Sequence, residues 1–196
     1  MSKGQETKAA ILDEALVLAS RVGFTGLTIG QLAEHNGMSK SGLFAHFRSK
    51  EQLQLQTLDH ARRKFIDIVV RPALAVPRGE KRVREIFERW LTWDRDVLPG
   101  GCIFVTGSIE FDDLPGPMHD AMAADRRDWL ETIATVVRAA IAEGDLREDV
   151  DPDQFAFELQ GLTLAFHNAT RLLDDDRALE RAHTAFEAIL DRARAH

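Results

Sequence analysis

Apolar residues recur every three or four positions through most of this chain, which is the spacing of amphipathic α-helices. The first such stretch covers residues 7–22 and stops at Gly23, and a longer one runs from residue 50 to Arg71-Pro72. Two more cover residues 81–97 and 117–143. The pattern predicts a chain built mainly of helices.

One stretch, CIFVTGSIEF at residues 102–111, has a periodicity that fits a buried strand as well as a helix. A lone strand would leave the hydrogen-bonding groups of its edges unpaired, so a helix is favoured. Pro99-Gly100-Gly101 breaks the chain before this stretch, and Pro117 suits the first position of the next helix. We therefore expect an all-α fold.

The last two predicted helices have the most regular pattern. The first opens at Pro152, the second follows the acidic turn at residues 174–176, and their apolar residues alternate spacings of three and four. Two such helices in a hairpin predict half of a four-helix bundle completed by a second copy of the chain. The alternative is that they only close the monomer's own core. The residues expected at a dimer interface are Phe155, Leu159, Leu162, Phe166, Leu179, Phe186 and Ile189.

Residues 27–47, LTIGQLAEHNGMSKSGLFAHF, predict two short helices joined by a tight turn. Thr28 can cap the first helix, with Gln31 as its partner in a capping box. Asn36-Gly37 can end that helix, and Ser39 can cap the second. Helices this close in sequence must cross steeply, as in the helix-turn-helix motif. An ordinary helical corner in an all-α domain would have the same spacing.

Composition limits where the protein works. Of 196 residues, 44% are hydrophobic, which is enough to bury a core. No apolar run approaches the roughly 18 residues that span a bilayer. The charged, amphipathic N-terminus lacks the apolar run and cleavage site of a signal peptide. We expect a soluble, cytoplasmic protein with no membrane partner.

The net charge of −7 is distributed unevenly. Residues 1–64 contain nine Lys/Arg and six Asp/Glu, whereas residues 65–196 contain sixteen and twenty-six. A basic N-terminal part on an acidic body is typical of a protein whose first segment meets a polyanion, although a difference of this size also arises by chance.

The motifs of common enzymes are missing from the sequence. It contains no HExxH, GxSxG, P-loop or CxxC pattern, and its single Cys102 excludes an internal disulfide and a Cys-based zinc site. The acidic clusters at Asp112-Asp113 and at residues 174–176 are explained by turns and helix caps. We expect neither an enzyme nor a metal or cofactor.

Several short motifs between residues 7 and 60 occur together in one register. They are Gly23-Phe24, Leu27-Thr28-Ile29, Leu32-Ala33, Gly37-Met38-Ser39-Lys40, Gly42-Leu43-Phe44, His46-Phe47 and Ser49-Lys50-Glu51. Through these residues the chain resembles the TetR family of bacterial transcriptional repressors. The resemblance implies a three-helix, helix-turn-helix DNA-binding domain at residues 1–50 and a larger helical effector-binding and dimerisation domain at residues 51–196.

The resemblance also implies which side chains touch DNA. Thr28 and Lys50 suit phosphates, and Lys40 is the best candidate for a guanine edge or a phosphate. Phe44 stands where the family usually carries Tyr, and Ala45 stands at a position that is often polar, so few side chains can read bases. The expected DNA-binding residues are Thr28, Ser39, Lys40, Ser41, Gly42, Phe44, His46 and Lys50.

The implied mechanism is repression controlled by a small, apolar ligand. A homodimer would place two recognition helices about 34–36 Å apart on a palindromic operator, and a ligand that favours another spacing would release it. The candidate ligand-binding residues are Trp90, Trp93, Phe104, Phe111, Met122, Trp129, Phe166 and His167, of which His167 is the polar one. Two alternatives stay open: a regulator without a small-molecule effector, and an activator.

Overall fold

The computed structural model describes residues 3–195, with side chains from residue 7 onward. Within this range it contains no strand, only an isolated antiparallel bridge between Leu146 and Arg194, so the predicted all-α class is confirmed. None of the described helices is long and apolar enough to cross a membrane. The helices are α1 (Lys3–Gly26), α2 (Ile29–His35), α3 (Lys40–Phe47), α4 (Lys50–Phe65), α5 (Arg71–Ala75), α6 (Glu80–Thr92), α7 (Ile103–Glu110), α8 (Pro117–Ala142), α9 (Pro152–Arg171) and α10 (Ala178–Ala193).

Internal packing divides the chain into two compact units. The first unit contains the described residues up to Phe65 together with residues 98–124, and the second contains residues 66–97 and those from Asp125 onward. Helix α7 and the start of α8 therefore pack with the N-terminal helices. The boundary expected on functional grounds, between residues 50 and 51, stays a prediction.

The first unit is built on α1, which is interrupted at Gly23. This glycine has φ +74° and ψ 169°, and a Cβ there would lie 1.6 Å from Glu110 Oε1, so the position requires glycine. The side chains that form the centre of this unit have no measurable exposure. They are Leu16, Phe24, Leu27, Leu32, Leu43, Phe47 and Leu53.

Helix α7, the stretch with ambiguous periodicity, is held against α1 at both ends. Before it, the Gly100 N–H donates to Ser20 Oγ at 3.1 Å. At its end, the Glu110 carboxylate accepts from the N–H groups of Phe24, at 2.8 Å, and Thr25, at 3.3 Å. The helix expected at residues 102–111 is confirmed, and it belongs to the same unit as the helix-turn-helix.

The long helix after Ser49 extends beyond its predicted end at Arg71-Pro72. It passes through a π-helical turn, Ile66–Val70, into α5, which ends at Ala75. Pro72 has no N–H to donate to the carbonyl of Ile68, which instead accepts from Arg89 Nη1 at 3.4 Å. The wider π turn and this substitute donor allow the chain to continue as a helix through the proline.

In the second unit, α6 packs against α9 and α10. Phe87 stacks on Phe186 with ring centroids 4.1 Å apart and an interplanar angle of 14°, and Trp90 meets Phe166 edge to face at 6.2 Å. Asp151 caps α9 by accepting from the N–H groups of residues 153 and 154. A second π turn, Trp93–Val97, follows α6 directly.

Candidate DNA-binding and effector sites

The start of α2 is fixed by Thr28. Its hydroxyl accepts the Gln31 N–H at 3.2 Å and donates to Gln31 Oε1 at 3.1 Å. The expected cap is confirmed, but the Gln31 side chain bonds the hydroxyl, where the sequence suggested the Thr28 backbone N–H. The first N–H groups of α2 remain available for an anion.

The start of α3 is fixed in the same way by Ser39, whose hydroxyl accepts the Gly42 N–H at 3.1 Å. A Cβ at Gly42 would lie 3.1 Å from that hydroxyl, which is tighter than an ordinary contact. Gly42 therefore has a structural reason to be small, besides the close approach to DNA that the resemblance implies. Between the helices, Gly37 has φ +62° and makes the predicted turn.

Helix α3 buries one face and exposes its N-terminal end. Leu43 and Phe47 have no exposure and anchor the helix on the unit's core. Ser39, Lys40 and Ser41 are exposed, Gly42 is half-buried, and the Phe44 side chain is 53% exposed. The two buried anchors therefore fix the helix and leave Lys40 and Phe44 on its exposed side.

Lys50 and His46 flank the C-terminal end of α3. Lys50 Nζ donates to the Thr25 carbonyl at 2.5 Å, and the exposed ammonium has further N–H groups to offer a phosphate. His46 is half-buried, with its ring 6.3 Å from that of Phe47. The structure thus brings all eight predicted DNA-binding residues onto α3 and the adjoining ends of α2 and α4.

The predicted ligand-binding residues divide between the two units. Phe104, Phe111 and Met122 belong to the first unit and pack inside it. Phe104 contacts Phe65 at a centroid distance of 5.4 Å, Phe111 contacts Phe24 at 6.4 Å, and Met122 fills the space beside Gly107. Trp90, Trp93, Trp129, Phe166 and His167 belong to the second unit, and all are buried.

A buried acid that the sequence interpretation missed lies beside His167. Asp94 Oδ1 and His167 Nδ1 are hydrogen-bonded at 2.6 Å, and the Asp94 side chain has no exposure. This bond uses Nδ1 of the ring, which leaves Nε2 for other groups. Asp94 follows Trp93 in a π turn, and nothing in the helical period distinguishes it from an exposed acid.

Gln160, two helical turns before His167 on the same face of α9, is a second buried polar side chain. Its Oε1 accepts from Arg126 Nη1 at 2.8 Å, which directs its amide nitrogen the other way. Among the residues that the structure describes, no acceptor lies within hydrogen-bond distance of Gln160 Nε2, although the side chain is only 9% exposed. With Thr163 and His167, Gln160 forms a buried polar stripe at spacings of three and four.

The residues predicted at the dimer interface differ in how deeply they are buried. Phe155, Leu159, Phe166 and Phe186 are buried within the second unit, whereas Leu162, Leu179 and Ile189 are half-buried. Another face of α9 is exposed and apolar: Phe157 is 71% exposed and Leu164 39%, with the exposed Gly161 and Ala165 between and beside them.

The capped, steeply connected helix pair and its exposed second helix define a helix-turn-helix DNA-binding unit. The model of the bacterial regulatory proteins of the tetR family matches residues 11–57. The model of the tetracyclin repressor-like C-terminal domain matches residues 79–186. The chain belongs to the TetR family of DNA-binding transcriptional regulators.

Individual relatives agree with this assignment. The HTH-type transcriptional regulator RutR of Escherichia coli O157:H7 is 26% identical over 159 residues, covering 80% of this chain and 71% of RutR. The HTH-type transcriptional repressor AcnR of Corynebacterium jeikeium is 24% identical over 79% of this chain and 76% of its own length. A TetR transcriptional regulator from Chloroflexus aurantiacus has a crystal structure with a TM-score of 0.87, 29% identity and full coverage of both chains.

Proposed function

We propose that this protein is a repressor that binds a palindromic operator as a homodimer and is released by a small molecule. The observation that carries the proposal is the exposed N-terminal end of α3, held in place by the Thr28 and Ser39 caps and the buried Leu43 and Phe47. The relative AcnR is named a repressor, which favours repression over activation. The expected place of action is the cytoplasm, on the nucleoid when bound to DNA.

On DNA, the caps and the lysines would position the protein and α3 would read few bases. Thr28 and Lys50 offer a hydroxyl, a helix N-terminus and an ammonium to phosphates. Lys40 is the exposed long side chain at the leading end of α3 and can reach a guanine edge. Phe44 offers only apolar contact, suited to a thymine methyl group or a sugar.

The dimer would use the exposed face of α9. Phe157 and Leu164 are large apolar side chains that the chain itself leaves uncovered, and Gly161 and Ala165 leave room for a close helix. A second copy satisfies such a face by presenting the same face across a two-fold axis. Because Phe155, Leu159, Phe166 and Phe186 are already buried in their own unit, the half-buried Leu162, Leu179 and Ile189 are the predicted seam residues that suit the interface best.

The effector would bind in the second unit, against the polar stripe of α9. The buried Gln160 amide lacks an acceptor within the described part of the chain, and leaving such a donor unpaired costs about 1–3 kcal/mol. A ligand oxygen would satisfy it, and the buried Trp90 and Trp129 of the same unit are the candidates for apolar contacts with the ligand. The ligand would therefore carry a carbonyl or carboxylate oxygen besides the apolar part that the sequence suggested. It can release DNA only to the extent that it binds the two conformations with different affinity.

The DNA contact is tested by replacing Lys40. We expect Lys40→Ala to weaken operator binding by about 1–3 kcal/mol if it reads guanine, because a base-reading pair contributes that much discrimination. Gel shift at several salt concentrations measures the change. Lys81→Ala, an equally exposed lysine of the second unit, should bind as wild type does. Equal effects of the two substitutions would contradict the assignment.

The effector site is tested with two probes that share a ring and differ in hydrogen bonding. Benzoate offers oxygen acceptors and benzylamine offers only donors, so millimolar benzoate should raise the Tm and benzylamine should not. Gln160→Glu keeps an oxygen for Arg126 but removes the amide donor and should abolish the benzoate response. Equal responses to both probes, or no response to benzoate, would count against the site. Gel shifts on the same samples report operator release separately from binding.

A further inference from the structure

A groove beside the recognition helix shares His46 with the residues assigned above to DNA and adds two cations to them, Lys8 and Arg48. It has a volume of about 570 Å³, and the residues that line it come from α1, α3, α4 and the connection between the last two. They are Lys8, Ala45, His46, Phe47, Arg48, Gln52 and Gln56. No carboxylate occurs among these residues.

Among the side chains that the structure describes, residues 7–195, no carboxylate neutralises the cations of this groove. Lys8 Nζ lies 6.0 Å from the centre of the Phe47 ring, and neither Lys8 nor Arg48 forms an ion pair with any of these side chains. Elsewhere in the same unit, cations do find partners: Lys64 contacts Asp13 at 2.5 Å, and Arg63 contacts Asp59 at 2.9 Å. Two unpaired cations with two side-chain amides form a donor-rich surface that suits an oxyanion.

Arg48 is held in a conformation that arginine rarely adopts. It has φ +60° and ψ −36°, at the C-terminal cap of α3, where its N–H donates to the Phe44 carbonyl at 2.9 Å. Glycine or asparagine is the usual residue at such a position. Strain that is retained in a non-glycine residue suggests that its side chain has a function, and the exposed guanidinium borders the groove.

We infer that this groove binds a phosphate of the DNA backbone, with Lys8 and Arg48 as its cations and Gln52 and Gln56 as further donors. Ala45 and His46 belong to the recognition helix itself, so a duplex that meets α3 also meets the groove. The small side chain of Ala45 leaves the groove open where a larger polar residue would fill it. This contact would supply affinity that the apolar Phe44 and Ala45 cannot supply through bases.

The experiment compares Arg48→Gly, Arg48→Lys and Lys8→Ala with wild type by binding to operator and non-operator duplexes across a salt series. Loss of one phosphate contact reduces the magnitude of the negative slope of log K against log salt by about 0.9 per protomer. We expect Arg48→Gly and Lys8→Ala to reduce this magnitude, Arg48→Lys to keep it, and both duplexes to be weakened by the same factor. Arg78→Ala, an exposed arginine of the second unit, is the charge-matched control.

The Tm, measured beside DNA affinity, separates a role of Arg48 in DNA binding from a role in folding. Arg48→Gly relieves the positive φ and should raise the Tm while it weakens DNA binding. A slope unchanged from wild type or equal to that of Arg78→Ala would overturn the inference, and so would weakening confined to the operator. An Arg48-dependent Tm shift in inorganic phosphate, against chloride at matched ionic strength, would assign the groove to free phosphate instead. The measurement on non-operator duplexes does not require an operator, so it tests the groove even if the protein binds no operator.

Discussion

At the scale of single residues, the space beside individual glycines shows how tightly the first unit is packed. A Cβ at Gly100 would lie 1.6 Å from the backbone oxygen of Ser20, which cannot move without shifting α1. A Cβ at Gly30 would meet only ordinary contacts at 3.6–3.9 Å, on the flexible Lys40 side chain and the Thr28 hydroxyl. The structure therefore leaves room for a side chain at Gly30, whereas Gly100 is essential for packing.

These two positions give opposite expectations for stability. Gly100→Ala should lower the free energy of unfolding by about 1–3 kcal/mol, because the backbone beside it must shift to avoid overpacking. Gly30→Ala should raise it by up to about 1 kcal/mol, because alanine is the better helix former. Urea unfolding followed by circular dichroism measures both. Similar tolerance at the two glycines would show that α7 does not pack on α1 as described.

The burial of Asp94 against His167 could not be predicted from the sequence. The helical period identified His167 as a polar residue on a seam helix, but it gave no signal that an acid 73 positions earlier would be buried against it. Likewise, the positive φ of Arg48 could not be predicted from the residue type, because glycine or asparagine is the usual residue in that conformation. Both features depend on long-range packing, which a local pattern does not encode.

At the scale of elements, helix positions follow from periodicity and caps, and helix partners do not. The caps at Thr28 and Ser39 and the breaks at Gly23 and Pro99-Gly100-Gly101 could be predicted because each depends on neighbouring residues. The apolar seam of α9 has the same period whether it faces its own unit or a second copy. Its burial in the second unit is therefore information that only the structure supplies.

Helices α6 and α10 are joined by an ion-pair network with a defined pH dependence. Arg194 donates to both carboxylate oxygens of Glu80, at 2.8 and 2.9 Å, and Arg84 Nε donates to Glu80 Oε1 at 2.7 Å. The pKa of Glu80 is lowered from 4.5 to about 2, mainly by the hydrogen bonds from Arg194 and further by the hydrogen bond from Arg84. Partial burial raises this pKa, but the hydrogen bonds outweigh it. Since the pKa is lower in the folded state, the network stabilises the fold fully above pH 4.5 and loses this effect as pH falls towards 2.

Glu80→Gln should therefore be destabilising only where wild-type Glu80 is ionised. We expect a loss of about 1 kcal/mol at pH 7, modest because these side chains remain partly exposed and screened by water, and little difference near pH 2. Urea unfolding at a series of pH values measures the difference. Glu143→Gln, at an exposed glutamate without an ion pair in the described structure, should give a difference close to zero throughout. A loss for Glu80→Gln that does not change with pH would contradict the network's role.

At the scale of the whole molecule, the charge asymmetry and the unpartnered face of α9 point to the same mode of action. The protein carries a net charge of −7, so its affinity for DNA must come from a local concentration of cations on the first unit and not from overall attraction. Since Phe44 and Ala45 cannot form hydrogen bonds with bases, specificity would depend on two recognition helices held at a fixed separation by the proposed dimer.

The most direct test of operator binding by a dimer is selection of bound duplexes from a random DNA pool by this chain, repeated at several salt concentrations. We expect a palindromic site whose half-sites are separated by about one helical turn, roughly 34–36 Å. We also expect binding that weakens steeply with salt, because backbone contacts supply much of the affinity. Recovery of no palindromic sequence at any of these ionic strengths would contradict the proposed function.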